Sequence, residues 1–248
     1  MLYLIGTGLY YLNDLPFRAV DIIKSCKEVY LETYTNPIDT GSLMMIERVT
    51  GKDIKRIART EVEGDILVEK ARHEDIALLI PGDPLSATTH ISLILGCKEN
   101  NVAYEILHSG SIFTAVAETG LSMYKFGAVT SMPIYRRNYA PESFFDVITL
   151  NLKNGLHTLL LLEAENEENF LSAEEAVLRL KAMEKSRGLS IIDWEGVIAI
   201  SRAGSRESRM WMAGKKSDAE EMPPISIIIP GDLSRTEQEA VSKLIHKD

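Results

Sequence analysis

The chain has 248 residues, 45% of them hydrophobic, and a formal net charge of −9. That length holds one large domain or two ordinary ones, with enough apolar side chains for real cores. The acidic balance excludes a general nucleic-acid binder, which needs a basic face to displace phosphate counterions, and suits a soluble cytoplasmic protein.

In the first half, short apolar runs at residues 2–5, 28–32, 54–58, 76–80 and 103–107 alternate with amphipathic stretches at 15–24, 42–49, 64–73 and 87–98. Alternating strands and helices predict βαβ units and a mostly parallel sheet. The run Ala77-Leu-Leu-Ile80 is apolar without alternation, as a strand covered on both faces should be. The second half changes texture. It has strand candidates at 128–132, 158–162, 197–201, 209–213 and 226–229, and helix candidates at 143–154, 173–185 and 236–246. The stretch from Ser205 to Gly214 reads as an antiparallel turn and strand, so a mixed sheet is expected there. Ser172-Ala-Glu-Glu175 and Ser234-Arg-Thr-Glu237 are capping boxes at two helix starts. The expected domains are 1–115 and 116–248.

The start reads as a strand running into glycines, with no basic leader, and no apolar run approaches the ~20 residues of a membrane span. Two cysteines, Cys26 and Cys97, sit among apolar residues as small buried hydrophobes, which fits a reducing compartment.

Strand, turn and helix start succeed one another at Ile76 to His90, with Pro81-Gly82-Asp83-Pro84 as the turn. Open α/β sheets bind small molecules past the carboxyl ends of their strands, and Asp83 is a lone acid at such a place, flanked by Gly82, Ser86 and Ala87. His108-Ser-Gly-Ser111 repeats the design after the next strand, where Ser111 is either a ligand contact or a cap for the helix from Ile112. Leu4-Ile-Gly-Thr-Gly-Leu9 begins like a dinucleotide fingerprint, but the third glycine is replaced by Tyr11, which speaks against a nicotinamide cofactor. There is no P-loop, no serine-hydrolase elbow, and no metal-ligand spacing among the five dispersed histidines. Arg136, Arg137, Arg202, Arg206 and Arg209 form the one sizeable cationic set, read either as surface pairing or as docking for an acidic partner.

Six segments stand in order along the chain: Leu4-Ile-Gly-x-Gly-Leu-Tyr10, Pro81-Gly-Asp-Pro-Leu-x-Ala-Thr-Thr-His90, Leu121-x-x-Tyr-Lys-Phe-Gly127, Pro141-Glu-Ser143 with Asp146-Val-Ile148, Gly155-Leu-His-Thr-Leu159 and Arg202-Ala-Gly-Ser205. Together they resemble the archaeal diphthine synthase family, of the tetrapyrrole-methylase-like class of S-adenosylmethionine (SAM) methyltransferases. The resemblance covers essentially the whole chain. It implies two α/β domains with SAM in the cleft between them, S-adenosyl-L-homocysteine as by-product, and a homodimer. It implies trimethylation of the amino group of 3-amino-3-carboxypropyl-histidine on translation elongation factor 2, in diphthamide biosynthesis. Carried over by motif, the cofactor contacts are Leu9, Asp83, Ser86, Ser111, Ile112, Leu162, Ala203 and Ile225. Ser86 stands where valine is common in the family, Ile225 where histidine usually follows the proline pair, and Tyr11 where an acid is usual.

Methyl transfer from a sulfonium is an in-line displacement governed by alignment, so no obligatory acid–base pair is expected, only a neutral amine. Asp83 is then expected to anchor the donor's polar groups through charge-assisted bonds. Tyr124, Tyr135 or Tyr139 could face a growing alkylammonium. The alternatives are a methylase of the same fold acting on a tetrapyrrole or RNA, and a non-catalytic SAM-binding protein.

Overall fold

Ile76–Ile80 (β4) is buried at all five residues and is the middle strand of a parallel sheet. The sheet runs β3-β2-β4-β1-β5, with β1 at Leu2–Gly6, β2 at Glu28–Glu32, β3 at Ile54–Ile57 and β5 at Tyr104–Leu107. It belongs to a first unit, Met1–Phe113; a second spans Thr114–Asp248. The computed structural model describes residues 1–35, 40–166, 168–214 and 221–245.

The chain crosses the first sheet one way to β2 and β3 and the other way to β4 and β5. Right-handed crossovers then put helices on opposite faces. Ala19 and Ile23 of α1 (Phe17–Ser25) and Leu43 and Ile46 of α2 (Thr40–Thr50) pack with Ile5, Leu31 and Leu79. On the other face, Val62 of α3 (Arg59–Val62), Leu67 and Val68 of α4 (Ile66–Ala71) and Leu93 and Cys97 of α5 (Ile91–Glu99) pack with Leu4, Leu78 and Ile80. Cys26 and Cys97 are both fully buried. A short α6, Ile112–Ala115, spans the boundary between the units.

The second unit has the sheet order β6-β7-β10-β8-β9: Thr130–Met132, Thr158–Leu162, Ile225–Ile229, Ile198–Ser201 and Arg209–Met212. Only β6 and β7 pair parallel; the remaining pairs are antiparallel, so the sheet is mixed as its sequence predicts. Phe144, Phe145 and Ile148 of α7 (Ser143–Lys153) and Ala176 and Leu180 of α8 (Ala173–Ser186) cover its core. A last helix, α9, spans Arg235–Leu244; the predicted extension to His246 lies outside the described residues.

One predicted helix start and one predicted capping box are corrected. The helix expected from Ala87 begins at Ile91, because Ala87 takes φ +56° and the Pro84 carbonyl is claimed by side chains, Thr88 Oγ1 at 2.7 Å and His90 Nδ1 at 3.1 Å. The Ser234–Glu237 box is complete, whereas at Ser172 only the serine half forms. There the Glu221 carboxylate accepts the Ala173 and Glu174 amides at 2.5 and 3.3 Å, and Glu175 pairs with Arg179 instead. Among the described residues no helix is long and apolar enough to cross a membrane.

Candidate functional site

The loops after β4, β1 and β5, three neighbouring strands, lie at the carboxyl edge of the first sheet, where open α/β sheets take ligands. Gly8 N–H donates to the Gly82 carbonyl at 3.1 Å and Gly82 N–H returns a bond to the Gly8 carbonyl at 3.0 Å, lacing the first two loops together. A Cβ on Gly6 would meet the Gly82 carbonyl oxygen at 2.5 Å and Ser109 Cβ at 2.9 Å, one atom from each flanking loop. Gly8 holds φ +71°, and Asp14 Oδ2 accepts the two amides that follow, Leu9 at 2.8 Å and Tyr10 at 2.7 Å. The Gly6-x-Gly8 pair therefore serves close packing of loops. Leu9 lies over Gly110, and the Ser111 hydroxyl accepts the Phe113 amide at 3.2 Å as a local cap. Thus Leu9, Asp83, Ser86 and Ser111 sit on loops of one edge, and Ile112 opens α6 directly after Ser111.

Asp83 ties that edge together. Oδ1 accepts the Leu85 amide at 3.0 Å and the Ser86 hydroxyl at 3.1 Å, while Oδ2 accepts His108 Nδ1–H at 2.8 Å and the Ser109 amide at 3.2 Å. Burial pushes its carboxyl up, but the Leu85 amide, His108 and the Ser109 amide outweigh it and hold Asp83 below the ordinary carboxylate value. Four donors match the roughly four lone-pair sites of a carboxylate. A ligand donor reaches Asp83 only by displacing one of them, and His108, with 65% of its side chain exposed, is the one at the surface.

One strand over, the edge holds a carboxylate of opposite character, which sequence reasoning passed over. Glu32 ends β2 with no exposure, Oε2 accepts the Thr35 hydroxyl at 2.9 Å, and Oε1 has no partner. Burial pushes its carboxyl up to about 7, against the pull of the Thr35 hydroxyl and the Thr35 and Tyr34 amides. His90 Nε2 lies 3.9 Å from Oε2. His90 does not neutralise it: burial pushes the imidazolium down, and because the Pro84 carbonyl only accepts, Nδ1 carries the hydrogen. His90 Nε2 then accepts the Tyr34 hydroxyl at 3.0 Å. The only other buried side-chain atom without a partner among the described residues is Thr7 Oγ1, at the end of β1. Both orphans lie where the sheet presents its ligand edge, and buried polar atoms normally find partners.

In the second unit, Leu162, Ala203 and Ile225 come together without a charged group among them. Leu162 ends β7, Ile225 opens the neighbouring β10, and Ala203 follows β8 on its other side, with Ile225 opposite Ser201 and Leu161 opposite Ser226. All three are buried. Arg202 stands at φ +48°, and its amide and Nε donate to the Pro224 and Pro223 carbonyls at 2.9 and 3.2 Å, clamping the two loop starts. Each unit thus places a non-glycine left-handed residue beside an expected contact, Ala87 next to Ser86 and Arg202 next to Ala203. Of the arginine set, Arg136 pairs with Glu163 and Glu165, and Arg202 with Glu207. Of the tyrosines, Tyr135 already stacks under Arg179 at 4.2 Å, and Tyr124 is 99% exposed. No group of three or more metal-ligating side chains occurs among the described residues.

The model of the tetrapyrrole (corrin/porphyrin) methylases matches residues 1–215. The diphthine synthase of Methanocaldococcus jannaschii is 37% identical, covering 98% of this chain and 98% of that protein. The diphthine methyl ester synthase of Yarrowia lipolytica is 34% identical, covering 94% and 85%. A crystal structure of a diphthine synthase superposes with a TM-score of 0.84 at 26% identity, over 99% of this chain and 96% of that one. The chain belongs to the tetrapyrrole methylase family, alongside its diphthine synthases, and is a methyltransferase.

Proposed function

We propose that the protein is a diphthine synthase: with SAM as donor, it trimethylates the amino group of 3-amino-3-carboxypropyl-histidine on elongation factor 2. The names of relatives that match nearly end to end support the reading. The observation that carries it is the laced carboxyl edge, where two glycine turns and Asp83 fix three loops of a methylase fold and leave two buried polar atoms orphaned. A fixed loop edge fits a donor that must be held in line for transfer. Its contacts would be Leu9, Asp83, Ser86, Ser111 and Ile112 in the first unit and the apolar set Leu162, Ala203 and Ile225 in the second. When bound, the donor supplies a methyl activated on a sulfonium. The chain's part is to orient and to exclude water; Asp83 holds the loops and would meet the donor by exchanging its exposed partner, His108. Ile225 is a wall residue in this reading, and the functional form is a homodimer.

One relative's name, diphthine methyl ester synthase, favours a second product in which a carboxylate is methylated as well. Incubation with labelled SAM and elongation factor 2 bearing the modified histidine decides. Three methyl increments that survive alkali are expected. A fourth, alkali-labile one selects the ester reading, and donor bound with no label transferred overturns both.

A further inference from the structure

We propose that Glu32 takes the proton from the acceptor's ammonium before each methyl transfer, its unpartnered Oε1 being the atom that receives the amine N–H. This rests on the amine-methyltransferase reading. An α-ammonium cannot attack a sulfonium while its lone pair holds a proton. A base beside it must be an acceptor that lacks a donor, and Oε1 is one of only two such buried atoms among the described residues. The other, Thr7 Oγ1, is a hydroxyl that remains protonated at neutral pH.

The surroundings suit the role. Glu32 is the last buried residue of β2, and Thr33, Tyr34 and Thr35 directly after it are all partly exposed. Glu32 is level with Ile80 in the register that pairs Leu31 with Leu79, three residues before Asp83. His90 joins the two places, donating to Pro84 beside Asp83 and accepting from Tyr34 beside Glu32. The titratable and charged groups around Glu32 are Tyr34 and His90, with Arg59 over the Tyr34 ring and Glu63 bonded to Thr89 beyond. His90 is held neutral and Tyr34 is pushed up to about 12, so neither competes for the proton near neutrality.

The step balances. R–NH3+ gives one proton to the Glu32 carboxylate, and the freed nitrogen pair forms the N–CH3 bond. The donor's C–S bond breaks with its electron pair left on sulfur, now a neutral thioether. Glu32 returns the proton to solvent before the next cycle. Three cycles release three protons and end on a quaternary nitrogen with none left to lose.

The experiment compares wild type and Glu32→Gln with labelled SAM and the modified elongation factor, alongside calorimetry with SAM alone. Glu32→Gln is expected to lower kcat about a hundredfold, the scale of one general base, with donor affinity unchanged and the acid limb of the kcat–pH profile lost. Glu32→Asp, which keeps a carboxylate, recovers that limb. A carbon-13 titration of Glu32 in wild type, assigned by its loss in Glu32→Gln, is expected to have its midpoint near neutrality. Active wild type with Glu32→Gln equal to it, or a titration in the ordinary carboxylate range, overturns the inference while leaving the methyltransferase reading intact. Inactive wild type overturns both.

Discussion

Asp83, in the loop after β4, and Glu32, at the end of neighbouring β2, stand at one sheet edge at 8% and 0% exposure, yet their carboxyls are pushed in opposite directions. Asp83 has four donors from two loops, spread over both oxygens; Glu32 has the Thr35 hydroxyl on Oε2, the pull of the Thr35 and Tyr34 amides, and an Oε1 without a partner. Burial alone raises both, so the number of donors decides which one stays ionised. Environments that drive two carboxyls apart separate their roles: a charge that holds architecture, and a group that gains and loses a proton near neutral pH.

The largest expected effect breaks the contrast at Glu32. Its folded-state carboxyl is raised from 4.5 to about 7, so folding binds a proton there. The stability tied to that proton is fully present below the unfolded value and is lost as pH rises through about 7. Glu32→Gln removes the loss. Its stability relative to wild type is expected to rise by about 3 kcal/mol between about pH 4 and pH 8, read by urea unfolding at both. Asp83 works the other way: its lowered carboxyl contributes stability above its ordinary value that disappears in acid. Next, Gly6→Ala drives a Cβ into the Gly82 carbonyl and Ser109 and is expected to cost about 2 kcal/mol, because loop backbone rather than a flexible side chain must give way. The same unfolding curves measure it, and a neutral result would mean the three loops are not packed against one another. The smallest effect is at Ser86. Its hydroxyl is one of Asp83's four donors, so Ser86→Ala is expected to lower stability by about 0.5–1 kcal/mol and donor affinity a fewfold, since three donors remain.

Much of this edge was legible along the chain. The apolar run into Pro81-Gly-Asp-Pro84 announced a buried strand and its turn, and the absence of a third glycine after Gly8 spoke against a dinucleotide's pyrophosphate. What escaped depends on distant partners. Glu32 ends Val29-Tyr-Leu-Glu32 and reads as an ordinary charged strand end; its burial comes from lying on a strand between β3 and β4 and from His90, far along the chain. The delayed start of α5 turns on Thr88 and His90 competing for one carbonyl, which helical periodicity does not register. The half-formed box at Ser172 depends on Glu221 arriving from beyond β9. Asp83 reads along the chain as an open anchor for a donor, and what the sequence does not register is that loops on both sides fill its lone pairs.

The most direct measurement is calorimetric titration of SAM into wild type and Asp83→Ala. If the carboxyl edge of the first sheet seats the donor on loops that Asp83 holds, affinity falls at least about tenfold, near 1.4 kcal/mol, with the variant still folded. Equal affinity in the folded variant would contradict the account and move the donor seat away from this edge.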